Sequence, residues 1–185
     1  MKKLALFGFM VAAAAVLVVV VASSSVKNGK VSLRSAEACT SKDTPECLPQ
    51  LGYLDTQGSF WTEKELHGKV VMINFWASWC GPCKQEIPDL AAAFSKYREQ
   101  GFVLLGVMTD DPSDAELAHF ARANHLEYPV IRLDQGIYDA FDYPSKLPTT
   151  FVYDRGGKMR YFHEGAVDGD DLDDVVKELL AETAE

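Results

Sequence analysis

Val70-Val71-Met72-Ile73-Asn74-Phe75-Trp76-Ala77-Ser78-Trp79-Cys80-Gly81-Pro82-Cys83 is the stretch on which the fold turns. Its first seven residues are almost continuously apolar, the pattern of a strand buried on both faces of a sheet. Beyond the cysteines, Ile87, Leu90, Ala91 and Phe94 recur at helical spacing, so a strand passes through a short loop into a helix. Outward from this unit, Phe102 to Met108 is a second apolar strand. Asp110-Asp111-Pro112-Ser113 then leads into a helix with apolar Leu117, Phe120 and Ala121. Pro129 to Leu133 reads as a short strand. Thr149–Tyr153 and Met159–His163 read as two more, joined by the turn Asp154-Arg155-Gly156-Gly157. Upstream, Tyr53 to Phe60 has the form of a hairpin turning at Gly58, and downstream Val175, Val176, Leu179 and Leu180 mark a last helix. Strands alternating with helices and closing in a hairpin predict a mixed α/β sheet covered by helices.

The chain has 185 residues, enough for one domain with an appendage, and its 48% hydrophobic and 24% charged content fits a globular protein. Its net charge of −9 argues against a nucleic-acid partner, which would need clustered Lys and Arg. The acidic cluster Asp168, Asp170, Asp171, Asp173 and Asp174 sits where the last helix begins. There negative charge opposes the positive end of the helix dipole, so capping accounts for it.

At the N-terminus, Met1-Lys2-Lys3 precedes Leu4 to Ala22, a run with no charge and no proline. A signal-peptide core takes about 7–15 residues and a membrane-spanning helix about 20, so retention as an anchor is expected. Cleavage near Ala22-Ser23-Ser24 is the alternative. The polar, aperiodic stretch from Val26 to about Lys42 reads as a linker.

Cys80 and Cys83 carry the chemistry. A C-x-x-C at a helix start places the first sulfur beside unpaired backbone N–H groups and the positive end of the dipole, which favours thiolate. The second sulfur is then close enough to attack a mixed disulfide. Cys80 is the expected nucleophile, the more exposed of the two, and Cys83 the resolving thiol. Pro82 fits a first helical turn, where its missing N–H has no partner to lose. A zinc site would need further ligands, and His67, His119, His125 and His163 are scattered.

With Gly68-Lys69-Val70-Val71 leading into that motif, with Glu86-Ile87-Pro88 after it and Leu147-Pro148-Thr149-Thr150-Phe151 later, the chain resembles the thioredoxin superfamily. Within it, the resemblance is to the ResA/TlpA-like membrane-anchored thiol–disulfide oxidoreductases, over about residues 50 to 182. The resemblance implies a thioredoxin-like α/β fold, with a central mixed β-sheet flanked by helices, an N-terminal β-hairpin and an inserted helix–strand unit. It also implies a cis peptide bond before Pro148, facing the cysteines. Trp79, Gly81, Pro82, Leu147 and Pro148 would then form the surface that meets an extended substrate segment. Cytoplasmic thioredoxins have a buried aspartate where this chain has Asn74. ResA-like proteins have instead a glutamate matching Glu86, which lies one helical turn from Cys83 and is assigned proton transfer or tuning of the thiols.

Cys39 and Cys47 are expected to form a structural disulfide, fitting an oxidising compartment. The segments are therefore residues 1–25 as anchor or signal sequence, 26–47 as linker and 48–185 as a thioredoxin-like domain. The resemblance implies a reductase on the outer face of a bacterial cytoplasmic membrane, facing the periplasm or cell exterior. Its substrates would be protein disulfides such as those of apocytochrome c, its electrons would come from a membrane thiol-relay protein, and it would need no cofactor. A disulfide-inserting oxidase and a non-enzymatic tethered binding module are the alternatives.

Overall fold

The structure is a computed structural model that describes residues 33–34 and 45–182. A two-stranded antiparallel hairpin, β1 (Tyr53–Leu54) and β2 (Phe60–Trp61), opens the fold and is followed by helix α1 (Glu63–Leu66). Then come β3 (Val70–Trp76), α2 (Gly81–Tyr97), β4 (Phe102–Met108), α3 (Asp114–Asn124), β5 (Val130–Arg132), α4 (Gln135–Ala140), β6 (Thr149–Tyr153), β7 (Met159–Glu164) and α5 (Gly169–Ala181). The five longer-range strands form one sheet in the order β5-β4-β3-β6-β7. β3 pairs parallel with β4 and antiparallel with β6, so the sheet is mixed and β3 is its centre. Helix α3 and strand β5 are the inserted unit, with β5 on the edge beside β4.

β3 is central because every one of its residues is apolar except Asn74, and all seven are buried. Alternation divides its side chains between two layers. Val70 and Met72 face Ile87 and Leu90 of α2 and Val175, Val176 and Leu179 of α5. Val71, Ile73 and Phe75 face Leu66, Ile137 and Phe141 on the opposite side. Fully burying a side chain of this size stabilises the fold by roughly 1.5–3 kcal/mol, so the two layers dominate its energetics.

Sequence punctuation sets the element ends. In the β6–β7 turn, Gly157 takes φ 77° while Asp154 Oδ1 accepts from the Gly156 and Lys158 N–H groups, each at 3.0 Å. Asp168 caps α5 by accepting from the Asp170 N–H, as the acidic cluster led one to expect. Ser113 and Glu116 form a reciprocal capping box at α3. The short helices α1 and α4 were not anticipated. With four and six residues, neither is long enough to show a hydrophobic period, although Asp134 capping α4 is a readable sign.

Leu33 packs against the core, Arg34 N–H donates to the Arg160 carbonyl at 2.7 Å, and Cys47 bridges to Lys158. Contacts with the domain therefore extend upstream of residue 48. Cys47 is disulfide-bonded, while Cys39, its expected partner, lies outside the described residues. The Leu4–Ala22 run also lies outside them. Among the described residues no helix is long and apolar enough to cross a membrane.

Arg160, 6% exposed, ties the far edge together. Its guanidinium meets Asp154 at 3.3 Å and Glu182 at 2.5 and 3.0 Å, and its Nε donates to the Arg34 carbonyl at 2.5 Å. Removing one partner of a buried charge network leaves the others uncompensated. Arg160→Ala is expected to lower the unfolding free energy by about 3 kcal/mol, measured by urea denaturation. A loss within experimental error would show that water satisfies Asp154 and Glu182 equally well.

Candidate active site

The loop from Ala77 to Cys80 carries the chain from the end of β3 to the start of α2. Cys80 is the N-cap of α2, its Sγ accepting from the Cys83 N–H at 3.2 Å. Cys80 and Cys83 are joined as a disulfide with Cα atoms 5.3 Å apart. Pro82 lies in the first turn, where its lack of an N–H removes no helical bond. Cys80 is 5% exposed and Cys83 fully buried. Their order of exposure is that expected, but in the disulfide state Cys80 is far from open. The side chain at the surface is Trp79, 70% exposed.

Asp110, just past the end of β4, holds this loop. Its carboxylate accepts from the Ser78 N–H at 3.1 Å and from the Ser78 hydroxyl. Sequence reading placed Asp110 only as part of the approach to α3. Its position at the C-terminal end of a parallel strand, where functional loops gather, was the available signal.

The peptide bond between Leu147 and Pro148 is cis, as the resemblance implied. Leu147 packs against the cluster that contains Cys80 and Cys83, so this loop and the disulfide share one surface. The Pro148 carbonyl accepts from the Gly165 N–H at 2.8 Å. Among the described residues the Leu147 backbone N–H and carbonyl have no such partner. Trp79, Gly81 and Pro82 are exposed at the same end of α2.

Beneath the disulfide lies Glu86, only 2% exposed. One helical turn after Cys83, it points inward rather than to solvent. Oε1 accepts from Asn74 Nδ2 at 2.9 Å, and Oε2 accepts from the Val167 N–H at 2.8 Å. Asn74 Nδ2 also donates to Thr150 Oγ1 at 3.1 Å, so the cluster spans β3, β6, α2 and the loop before α5. Burial pushes the Glu86 carboxyl up from its ordinary 4.5 to about 7. The bonds from Val167 and Asn74 oppose the rise, and nearby Asp89 adds to it. No sequence pattern disclosed Val167 or Thr150 as partners, because both arrive from distant strands and loops. No group of metal-ligating side chains occurs among the described residues.

The sequence matches the AhpC/TSA family over residues 42–162. It is 32% identical over 112 residues to the thiol-disulfide oxidoreductase ResA of Bacillus cereus, covering 60% of this chain and 64% of that one. To ResA of Bacillus thuringiensis subsp. konkukian it is 30% identical over 132 residues, covering 71% and 75%. Among solved structures, a thiol:disulfide interchange protein of the thioredoxin family from Chlorobium tepidum superposes with a TM-score of 0.68 at 25% identity. That match covers 77% of this chain and all of the other.

A raised carboxyl carries a stability signature. Below about pH 4 Glu86 is protonated folded and unfolded, and its favourable contribution is complete. From there to about pH 7 the folded protein keeps a proton that the unfolded chain has lost, so stability falls as pH rises. Glu86→Gln is expected to flatten this slope and to exceed the parent in stability at pH 8 by about 1–3 kcal/mol. Urea unfolding of both oxidised proteins across pH 4–9 checks this, and equal slopes would refute it.

The disulfide at a helix start, the cis-proline loop beside it and the mixed sheet beneath agree with these matches: the chain belongs to the AhpC/TSA family of the thioredoxin superfamily and, within it, to the ResA-like thiol–disulfide oxidoreductases.

Proposed function

We propose that this protein reduces protein disulfides on the outer face of a bacterial cytoplasmic membrane, with the apocytochrome c cysteines as a candidate substrate. The observation that carries the reading is a Cys80–Cys83 disulfide at the N-terminus of α2 with a buried carboxyl one turn below it. In the reduced protein the Cys80 thiolate attacks one sulfur of a substrate disulfide. That bond breaks, a bond from Cys80 to the substrate forms, and the departing thiolate takes a proton. Cys83 then gives its proton to Glu86 and attacks the Cys80 sulfur. The fully reduced substrate leaves, and the two electrons it gained have come from the protein dithiol.

A carboxyl poised near 7 is matched to this exchange, since at neutral pH it can both take and return a proton. The substrate segment lies across Trp79 and the cis-proline loop, pairing with the Leu147 backbone. Electrons return through a membrane thiol-relay protein, and Leu4–Ala22 tethers the domain through the following linker. The Gly81-Pro82 dipeptide between the cysteines, shared with reducing thioredoxins, favours reduction over disulfide insertion.

Insulin reduction by the dithiol protein is expected to be lost in Cys80→Ser. The Cys80–Cys83 reduction potential is expected nearer about −270 mV than about −120 mV. A potential at the upper figure would make the protein an oxidant, and activity surviving in Cys80→Ser would remove Cys80 from the mechanism. Location is checked by external protease on intact spheroplasts, where the domain is expected to be digested. Protection of the domain, with Cys39 and Cys47 trapped as free thiols in the same cells, would place it inside.

A further inference from the structure

Three buried side-chain polar atoms have no hydrogen-bond partner among the described residues: Asn74 Oδ1, Trp76 Nε1 and the Tyr128 hydroxyl. All three belong to the layer that contains Glu86. Asn74 and Trp76 are two residues apart on β3 and so share a face of the sheet. Asn74 stands opposite Thr150 on β6 and opposite Gly106 on β4. Thr150 is bonded to the Asn74 amide. Gly106 has no side chain, and its place is taken by others. A Cβ there would lie 2.7 Å from Tyr128 Cε2 and 2.9 Å from Trp76 Nε1. The glycine therefore admits the Tyr128 ring and the indole edge next to the amide that holds Glu86.

Such an arrangement is a cost to the fold. A buried hydroxyl without a partner loses its water and gains nothing in return, and phenylalanine would fill the same space without that loss. Tyr128 is 2% exposed and Trp76 1%, so neither reaches bulk water. What a buried, oriented donor can do is stabilise a charge that appears nearby only during reaction.

We infer that Tyr128 is a positioning residue acting through Glu86: its phenol, with the ring edge against Gly106 and the Trp76 indole N–H beside it, stabilises the carboxylate form of Glu86 during thiol exchange. This rests on the reading of Glu86 as the proton carrier. The two groups sense each other, since the Glu86 carboxylate together with burial pushes the Tyr128 phenol up, burial being the larger cause. The other ionisable groups acting on this pair are Asp89 on α2 and Tyr161 on β7, with the Cys80 and Cys83 thiols joining them on reduction. Asp89 disfavours the carboxylate, and Tyr161 is itself raised, chiefly by burial.

The test is a titration of the Glu86 carboxyl carbon by NMR in the oxidised protein, beside pH–rate profiles for insulin reduction. Both are run on the parent, Tyr128→Phe, Glu86→Gln and the double variant. Tyr128→Phe is expected to raise the Glu86 midpoint by about half a pH unit, roughly a threefold change in proton affinity, with no fall in thermal midpoint. Its rate profile should move in the same direction, and in the Glu86→Gln background the substitution should move nothing. A Glu86 midpoint unmoved by Tyr128→Phe overturns the inference, as does an equal profile shift with and without Glu86. A profile insensitive to Glu86→Gln has a different meaning. It removes Glu86 as proton carrier, while the NMR midpoint still decides whether Tyr128 acts on it.

Discussion

A carboxyl group held out of water between the amide of Asn74 and the N–H of Val167 is the contact through which the separate parts of this molecule meet. β3 must be apolar along its whole length, because helices cover both faces of the sheet at that strand. Asn74 interrupts it, and a buried amide in such a position requires partners. Glu86 and Thr150 provide them for its N–H₂ group, and in doing so join α2 to β3 and β6. Val167 brings in the loop that leads to α5. The same bonds place a proton-binding group one turn below the disulfide.

The site is therefore polarised by depth. At the surface stand Trp79 and the exposed Gly81-Pro82 pair. Just below lies the disulfide, with Cys80 at the helix start and Cys83 inside. At the bottom is Glu86, surrounded by side chains whose polar atoms are only partly satisfied. Dry surroundings raise its proton affinity, and fixed donors limit the rise. Asp110 holds the loop between these levels from the end of β4, through Ser78.

The order of strands and helices was legible because β3, β4, β6 and β7 are long enough to show their period and are bounded by turn residues. Gly157 and Asp154 in the β6–β7 turn, and the acidic start of α5, act locally and can be read locally. The helices α1 and α4 escaped notice for the opposite reason, being held by contacts with the sheet rather than by a pattern of their own. For the site, the motif spacing was enough to select Cys80, Cys83 and Glu86, since all three lie within seven residues on one helix start.

What the sequence determined by itself was the alternation of buried strand and helix, the placing of two thiols at a helix N-terminus and the one-turn interval to Glu86. Each follows from backbone periodicity, which is written in residue order. Only the tertiary structure decided that Glu86 faces inward, that Val167 and Thr150 complete its environment, and that Gly106 makes room for Tyr128 and Trp76 beside it. These contacts join residues 76 and 81 positions apart along the chain, or depend on sheet register, and no local pattern records which residues a strand will face. The proton affinity of Glu86 belongs to the same class, because it is set by how much water the assembled layers exclude.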